Sequence, residues 1–127
     1  TNTGYIGALL EASLHGGRAV LPGTPQTLRD FVHIDTVTDV CLAAVVGDSP
    51  PPILNAGSGD PTSLDALVSV FREASGRELE VAFSVPRPGT LNETLADVAL
   101  MSQFACPTTP PLHEGIRATL DTFLGRP

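Results

Sequence analysis

The chain predicts an α/β domain built on a small mixed sheet. Apolar residues recur at helical spacing in several segments, short apolar runs of strand character stand between them, and glycine or proline clusters punctuate the junctions. A length of 127 residues with 42% hydrophobic content suits one domain, spanning 1–127, with a modest core.

Ile6, Leu9, Leu10 and Leu14 set out a first helix, which Gly16-Gly17 stops. Ala19-Val20-Leu21 is a short strand running into Pro22-Gly23-Thr24-Pro25, a cluster too rich in proline to continue a ladder. Phe31-Val32-His33-Ile34 reads as a second strand, with His33 a hydrogen-bonded structural histidine. Asp35 would cap the next helix, whose buried stripe is expected at Val37, Val40, Cys41, Ala44 and Val45. Pro50-Pro51-Pro52 ends that unit, and Ile53-Leu54-Asn55 forms a strand closing on the turn Gly57-Ser58-Gly59.

Thr62-Ser63-Leu64-Asp65 is arranged as a capping box with Thr62 as the cap, ahead of a helix whose apolar face is Leu64, Leu67, Val68 and Phe71 and whose stop is Gly76. Leu79, Val81, Phe83 and Val85 alternate with Glu80, Ala82 and Ser84, the pattern of a strand covered on one face. Asp97 would cap a helix that turns Val98, Met101 and Phe104 inward, and Leu112, Ile116, Leu120 and Phe123 define the last one. The runs 19–21, 31–34 and 53–55 are short for an independent sheet, whose strands average about five or six residues, so some should pair with a partner domain.

The formal charge of -7 argues against nucleic acid or an anionic membrane as a general partner. All seven basic residues are arginine, so any anion site must be local and built from arginine forks. Arg29 and Arg87 are the candidates. Cys41 and Cys106 have no partners at metal-ligand spacing, so no metal site is expected and both thiols should be free and buried, in a reducing, cytoplasmic setting. No segment approaches the roughly 18 apolar residues of a membrane span. The opening Thr1-Asn2-Thr3-Gly4 lacks an initiator methionine, which fits a fragment of a longer chain, though processing could also remove one.

Gly57-Ser58-Gly59 is no phosphate loop, because no Gly-Lys-Ser/Thr follows and the spacing does not match a dinucleotide-binding turn. Tyr5, the sole tyrosine, has Leu9 four residues on where catalysis would need lysine, and so belongs to the first helix. Ser58 and Ser63 have no recognisable base, and Asp35 with Asp39 lack a third metal ligand.

Arg29-Asp30-Phe31-Val32-His33-Ile34-Asp35, then Asn55-Ala56-Gly57-Ser58-Gly59, then Arg87-Pro88-Gly89, occur in an order that resembles the C-terminal portion of the extended short-chain dehydrogenase/reductase family, the NAD-dependent nucleotide-sugar epimerases and dehydratases. The resemblance extends from the first helix to the terminal Leu112-His113-Glu114-Gly115-Ile116-Arg117-Ala118-Thr119-Leu120. Thr27 stands where the family's glutamine is usual, and Thr90-Leu91-Asn92-Glu93-Thr94 replaces an Asp-x-Arg-His-Thr pattern. Phe104-Ala105-Cys106-Pro107 replaces an aromatic link.

The resemblance implies a fold that is the C-terminal part of a Rossmann-type enzyme without its N-terminal half. It implies that Arg29 and Arg87 contact the diphosphate of a nucleotide-sugar and that Val20, Leu21 and Pro22 line its base and ribose. NAD or NADP would sit in the N-terminal Rossmann domain and would not bind this chain alone. The chain contains no lysine and no Gly-x-x-Gly-x-x-Gly, so the family's catalytic Tyr-x-x-x-Lys is not here and the chain alone should be inactive. The segment Phe31–Ala44 and the run 53–55 would pack on the cofactor domain, leaving apolar surface and a tendency to self-associate in isolation. Two alternatives stand: a non-catalytic binding or scaffolding module derived from the family, and a reductase of a non-nucleotide substrate.

Overall fold

A computed structural model describes residues 4–86 and 88–125. In chain order the elements are α1 (Gly4–His15), β1 (Arg18–Pro22), β2 (Leu28–Asp30), α2 (Ile34–Val46), β3 (Pro61–Ser63), α3 (Leu64–Ser75), β4 (Glu80–Ser84), β5 (Glu93–Thr94), α4 (Ala99–Phe104) and α5 (Leu112–Leu124). The class is α/β as expected, but the strands form two small sheets. β1 and β4 pair in parallel, Leu21 opposite Phe83. In the mixed sheet β3-β2-β5, β2 runs antiparallel to β3 and parallel to β5, with Arg29 opposite both Thr62 and Thr94.

The core lies where α1, α3 and α5 close on β1. Leu9, Leu21, Leu64, Leu67, Phe71, Ile116 and Leu120 are buried together. β1 alternates, with Ala19 and Leu21 inward and Val20 outward, as pleating requires. α1 stops at Gly16 and Gly17, both at positive φ, with the Gly16 amide donating to the Ala12 carbonyl at 3.0 Å. α3 ends on Gly76 in the left-handed conformation, its amide donating to the Arg72 carbonyl.

Several local expectations are corrected. β2 is 28–30, and Phe31 to His33 leave the ladder, because β3 and β5 offer partners only opposite Leu28, Arg29 and Asp30. Residues 53–55 likewise form no strand among the described residues, and Asn55 instead donates from Nδ2 to the Asp97 carbonyl at 3.1 Å. His33 caps α2, its Nδ1 accepting from the Asp35 amide at 3.3 Å, so Asp35 falls in the first turn. Ser63, the last residue of β3, caps α3, its Oγ accepting from the Ala66 amide at 3.1 Å, and Thr62 lies one residue too early in β3 to be the cap. Asp97 does accept from the Ala99 amide at the start of α4.

The larger correction concerns α2. Of its expected buried stripe only Val40 is buried, while Cys41 and Ala44 are exposed and Val45 is 82% exposed. Phe123 of α5 and the second thiol, Cys106, are exposed as well. Thr36 is the residue that fastens α2, fully buried with its hydroxyl directed at the Thr108 carbonyl.

Candidate functional site

The site is organised around β2, which places two charged side chains in succession on opposite faces of a three-residue strand. Arg29 is half-buried, and its guanidinium is held by neutral acceptors. Nη1 donates to the Leu28 carbonyl at 2.6 Å and the Asn92 carbonyl at 3.2 Å, and Nη2 donates to the Leu91 carbonyl at 2.9 Å. Beneath it lies the Tyr5 ring, 5.6 Å from the guanidinium carbon. No carboxylate reaches ion-pair distance of Arg29 among the described residues, including the nearby Glu93 of β5. The plain alternative, a surface arginine neutralised by an aspartate, is therefore not what this residue does. Its charge has no ion-pair partner among the described residues, and with both Nη groups engaged by these acceptors and the Tyr5 hydroxyl, an anion would meet it at Nε–H or by displacing one of them.

Asp30 points to the other side and gathers the neighbouring segments. Its Oδ1 accepts from the Ser58 amide at 2.8 Å and the Ser58 hydroxyl at 2.6 Å, and its Oδ2 accepts from the Gly59 amide at 3.1 Å and the Ala96 amide at 3.2 Å. Burial pushes the carboxyl pKa up, but these donors outweigh it and hold the group below the ordinary aspartate value. The close approach explains the glycines. A Cβ at Gly57 would lie 2.5 Å from the Ala96 methyl and 2.8 Å from Asp30 Oδ2, and one at Gly59 would lie 2.7 Å from a Val98 methyl. With the Ser58 and Gly59 amides committed to Asp30 and the Cβ positions of Gly57 and Gly59 closed by protein atoms, the Gly57-Ser58-Gly59 turn is built to hold Asp30. Asp30 received no role from the sequence, and its best signal was adjacency to Arg29 ahead of a Gly-Ser-Gly turn.

Two cavities flank the segment that follows Asp30. One, about 390 Å³, opens between Phe31–Ile34 and Pro110–Leu112 with Ile6 and Thr119 on its walls. The other, about 480 Å³, lies between Val32, residues 54–57 and residues 94–96. Both are bordered by Asp30.

The other expected site residues divide. Val20 is half-exposed and Pro22 exposed at the open end of β1, and the Pro22 carbonyl receives the Tyr5 hydroxyl at 2.9 Å, which ties this end to Arg29. Leu21 is fully buried in the core, so its side chain cannot line a ligand and only its backbone borders that edge. Arg87 lies outside the described residues. Ser58 does have a carboxylate partner, yet an aspartate saturated with donors and a depressed pKa is a poor base, so the pair is architectural.

No protein-family model matches the chain. Curated proteins do: GDP-L-fucose synthase 1 of Arabidopsis thaliana is 26% identical over 115 residues, covering 90% of this chain and 36% of that protein. The dTDP-6-deoxy-L-talose 4-dehydrogenase (NAD(P)(+)) of Kitasatospora kifunensis is 38% identical over 94 residues, covering 72% of this chain and 29% of that protein. Among solved structures, an NAD-dependent NDP-hexosamine 5,6-dehydratase involved in tunicamycin biosynthesis superposes with a TM-score of 0.85 at 28% identity, over 100% of this chain and 42% of that one. The chain belongs to the family of NAD-dependent nucleotide-sugar epimerases and dehydratases, the extended short-chain dehydrogenases/reductases, and spans well under half the length of the relatives it matches.

Proposed function

We propose that residues 1–127 are the substrate-binding portion of an NAD(P)-dependent nucleotide-sugar epimerase or dehydratase, and that they hold the nucleotide diphosphate while the sugar meets a cofactor carried by an N-terminal Rossmann domain. The observation that carries this is Arg29, fixed by four hydrogen bonds to uncharged acceptors with no carboxylate at ion-pair distance among the described residues. A diphosphate removed from water needs such charge-assisted donors, since leaving its oxygens unpaired costs several kcal/mol. Val20 and Pro22 supply the edge against which base and ribose lie, and Arg87, from a loop stiffened by Pro86 and Pro88, supplies the second cation.

What this chain contributes is binding and orientation. It contains no lysine, hence no Tyr-x-x-x-Lys, and its glycine turn is taken up with holding Asp30. NAD(P) therefore belongs to the partner domain, where it would supply transient hydride transfer at the sugar. The rival readings diverge at different points: a scaffold without catalysis would lack a Gly-x-x-Gly-x-x-Gly and a Tyr-x-x-x-Lys upstream, and a reductase of a non-nucleotide substrate would differ at the ligand.

Calorimetric titration with GDP, dTDP and UDP tests the proposal. At least one should bind, and Arg29→Ala should weaken it about 10- to 100-fold, the worth of hydrogen bonds to a charged group. Binding indifferent to both Arg29→Ala and Arg87→Ala removes the diphosphate clamp.

A further inference from the structure

We infer that Tyr5 is the positioning residue for Arg29 in this anion site, an inference that rests on the reading of Arg29 given above. Tyr5 stands at the start of α1, half-buried, and contacts the end of β1, Arg29 of β2 and Phe31 just beyond it. Its hydroxyl donates to the Pro22 carbonyl at 2.9 Å, at the open end of β1. The same oxygen accepts from Arg29 Nη2 at 3.4 Å, a long bond that contributes direction more than strength. Its ring lies under the guanidinium, 5.6 Å from centroid to carbon, within the range of a cation–π contact. The ring also meets Phe31 edge to face, centroids 6.4 Å apart at 89°, so it is itself held by packing.

Arg29 thus has two anchors on different sides. The Leu91 and Asn92 carbonyls fix it to the segment leading into β5, and Tyr5 fixes it to β1 and α1. The carbonyls bonded to Nη1 and Nη2 fix the plane of the fork, and the Tyr5 ring covers one face of it while its hydroxyl ties Nη2 to the end of β1. Without Tyr5 the guanidinium would settle toward the carbonyls of 91–92 and lose its aim at a ligand lying along the β1 edge. A polar tip on an otherwise apolar helix face explains why the residue looked like plain helix core in sequence: the partners of its hydroxyl lie 17 and 24 residues away.

The test compares wild type, Tyr5→Phe, Tyr5→Leu and Arg29→Ala, titrating each with GDP, dTDP and UDP and with the matching nucleosides. Tyr5→Leu should weaken diphosphate binding roughly fivefold, the scale of a partly exposed cation–π contact, and leave nucleoside binding unchanged. Tyr5→Phe keeps the ring and should fall between. Equal loss for nucleoside and diphosphate, or no loss in Tyr5→Leu while Arg29→Ala weakens binding, overturns the Tyr5 role. If wild type binds diphosphates no better than nucleosides, or Arg29→Ala binds like wild type, the Arg29 reading itself falls and takes Tyr5 with it. Should Tyr5→Leu fail to fold, Tyr5→Phe decides by the ¹⁵N resonance of Arg29 Nε: a shift supports the anchor, and an unchanged resonance overturns it.

Discussion

Asp30 is the residue on which the local architecture converges, since four donors from three separate positions meet one carboxylate. Its pKa is depressed in the folded state relative to about 3.9 in an unfolded chain, so in acid the native state binds fewer protons than the unfolded one. The stabilisation it gives is complete above the unfolded pKa and is lost as pH falls through the depressed folded value. Asp30→Asn should therefore lower stability by about 1–3 kcal/mol at neutral pH, leaving amides of the 58–59 turn short of an acceptor. It should also flatten the acid limb of a stability-versus-pH curve, measured by urea unfolding between pH 3 and 7. Sequence reading reached Arg29 next door because the residue type and the motif around it point to anion chemistry. Asp30 and Tyr5 were not legible, since their roles are made by contacts to residues distant along the chain and no spacing rule encodes those.

At the scale of elements, period and punctuation carried α1, β1 and α3. β4 forms over 80–84, but the expected alternation is not seen: Val81, Ala82, Phe83 and Ser84 are half-buried alike and Val85 is 91% exposed, while α5 buries Ile116 and Leu120 but not Phe123. Period and punctuation also failed by a register at the junctions. Thr62 and Ser63 are both good caps and both pair with β2, and Ser63 acts because it stands immediately before α3, where its Oγ reaches the Ala66 amide. Ser63→Ala should then cost about 1 kcal/mol in chemical denaturation and Thr62→Ala distinctly less, with equal losses contradicting the assignment. The run Phe31–Ile34 has strand composition, yet no neighbour within the described residues gives it a ladder partner. Composition marks an apolar segment and does not say what pairs with it.

Over the whole molecule, exposed apolar side chains are spread from β1 to α5, with Val85 at 91%, and α2 together with the segment after it carries one group of them. Ile34, Leu42, Val45 and Val46 are exposed at 67, 59, 82 and 72%, and Ile53 at 83%. Of these α2 residues only Val45 belongs to the expected stripe, so the helix is apolar on more than one side, and periodicity marks apolar positions without showing what covers them. A helix of this kind in a chain spanning 29 to 42% of its relatives' length accords with packing on a further domain. The isolated chain should self-associate and bind a hydrophobic dye, and Leu42→Glu with Val45→Glu should return it to a dye-silent monomer in sedimentation velocity. A wild-type chain already monomeric and dye-silent would contradict this.

The central claim is that Arg29 meets a nucleotide's phosphates, and ³¹P NMR observes that contact at the atoms concerned. Adding the chain to GDP, dTDP or UDP should shift and broaden the diphosphate resonances of at least one of them, and Arg29→Ala should abolish most of the effect while circular dichroism shows the fold retained. Diphosphate resonances that are unmoved by wild type, or moved equally by the folded Arg29→Ala variant, would contradict the account.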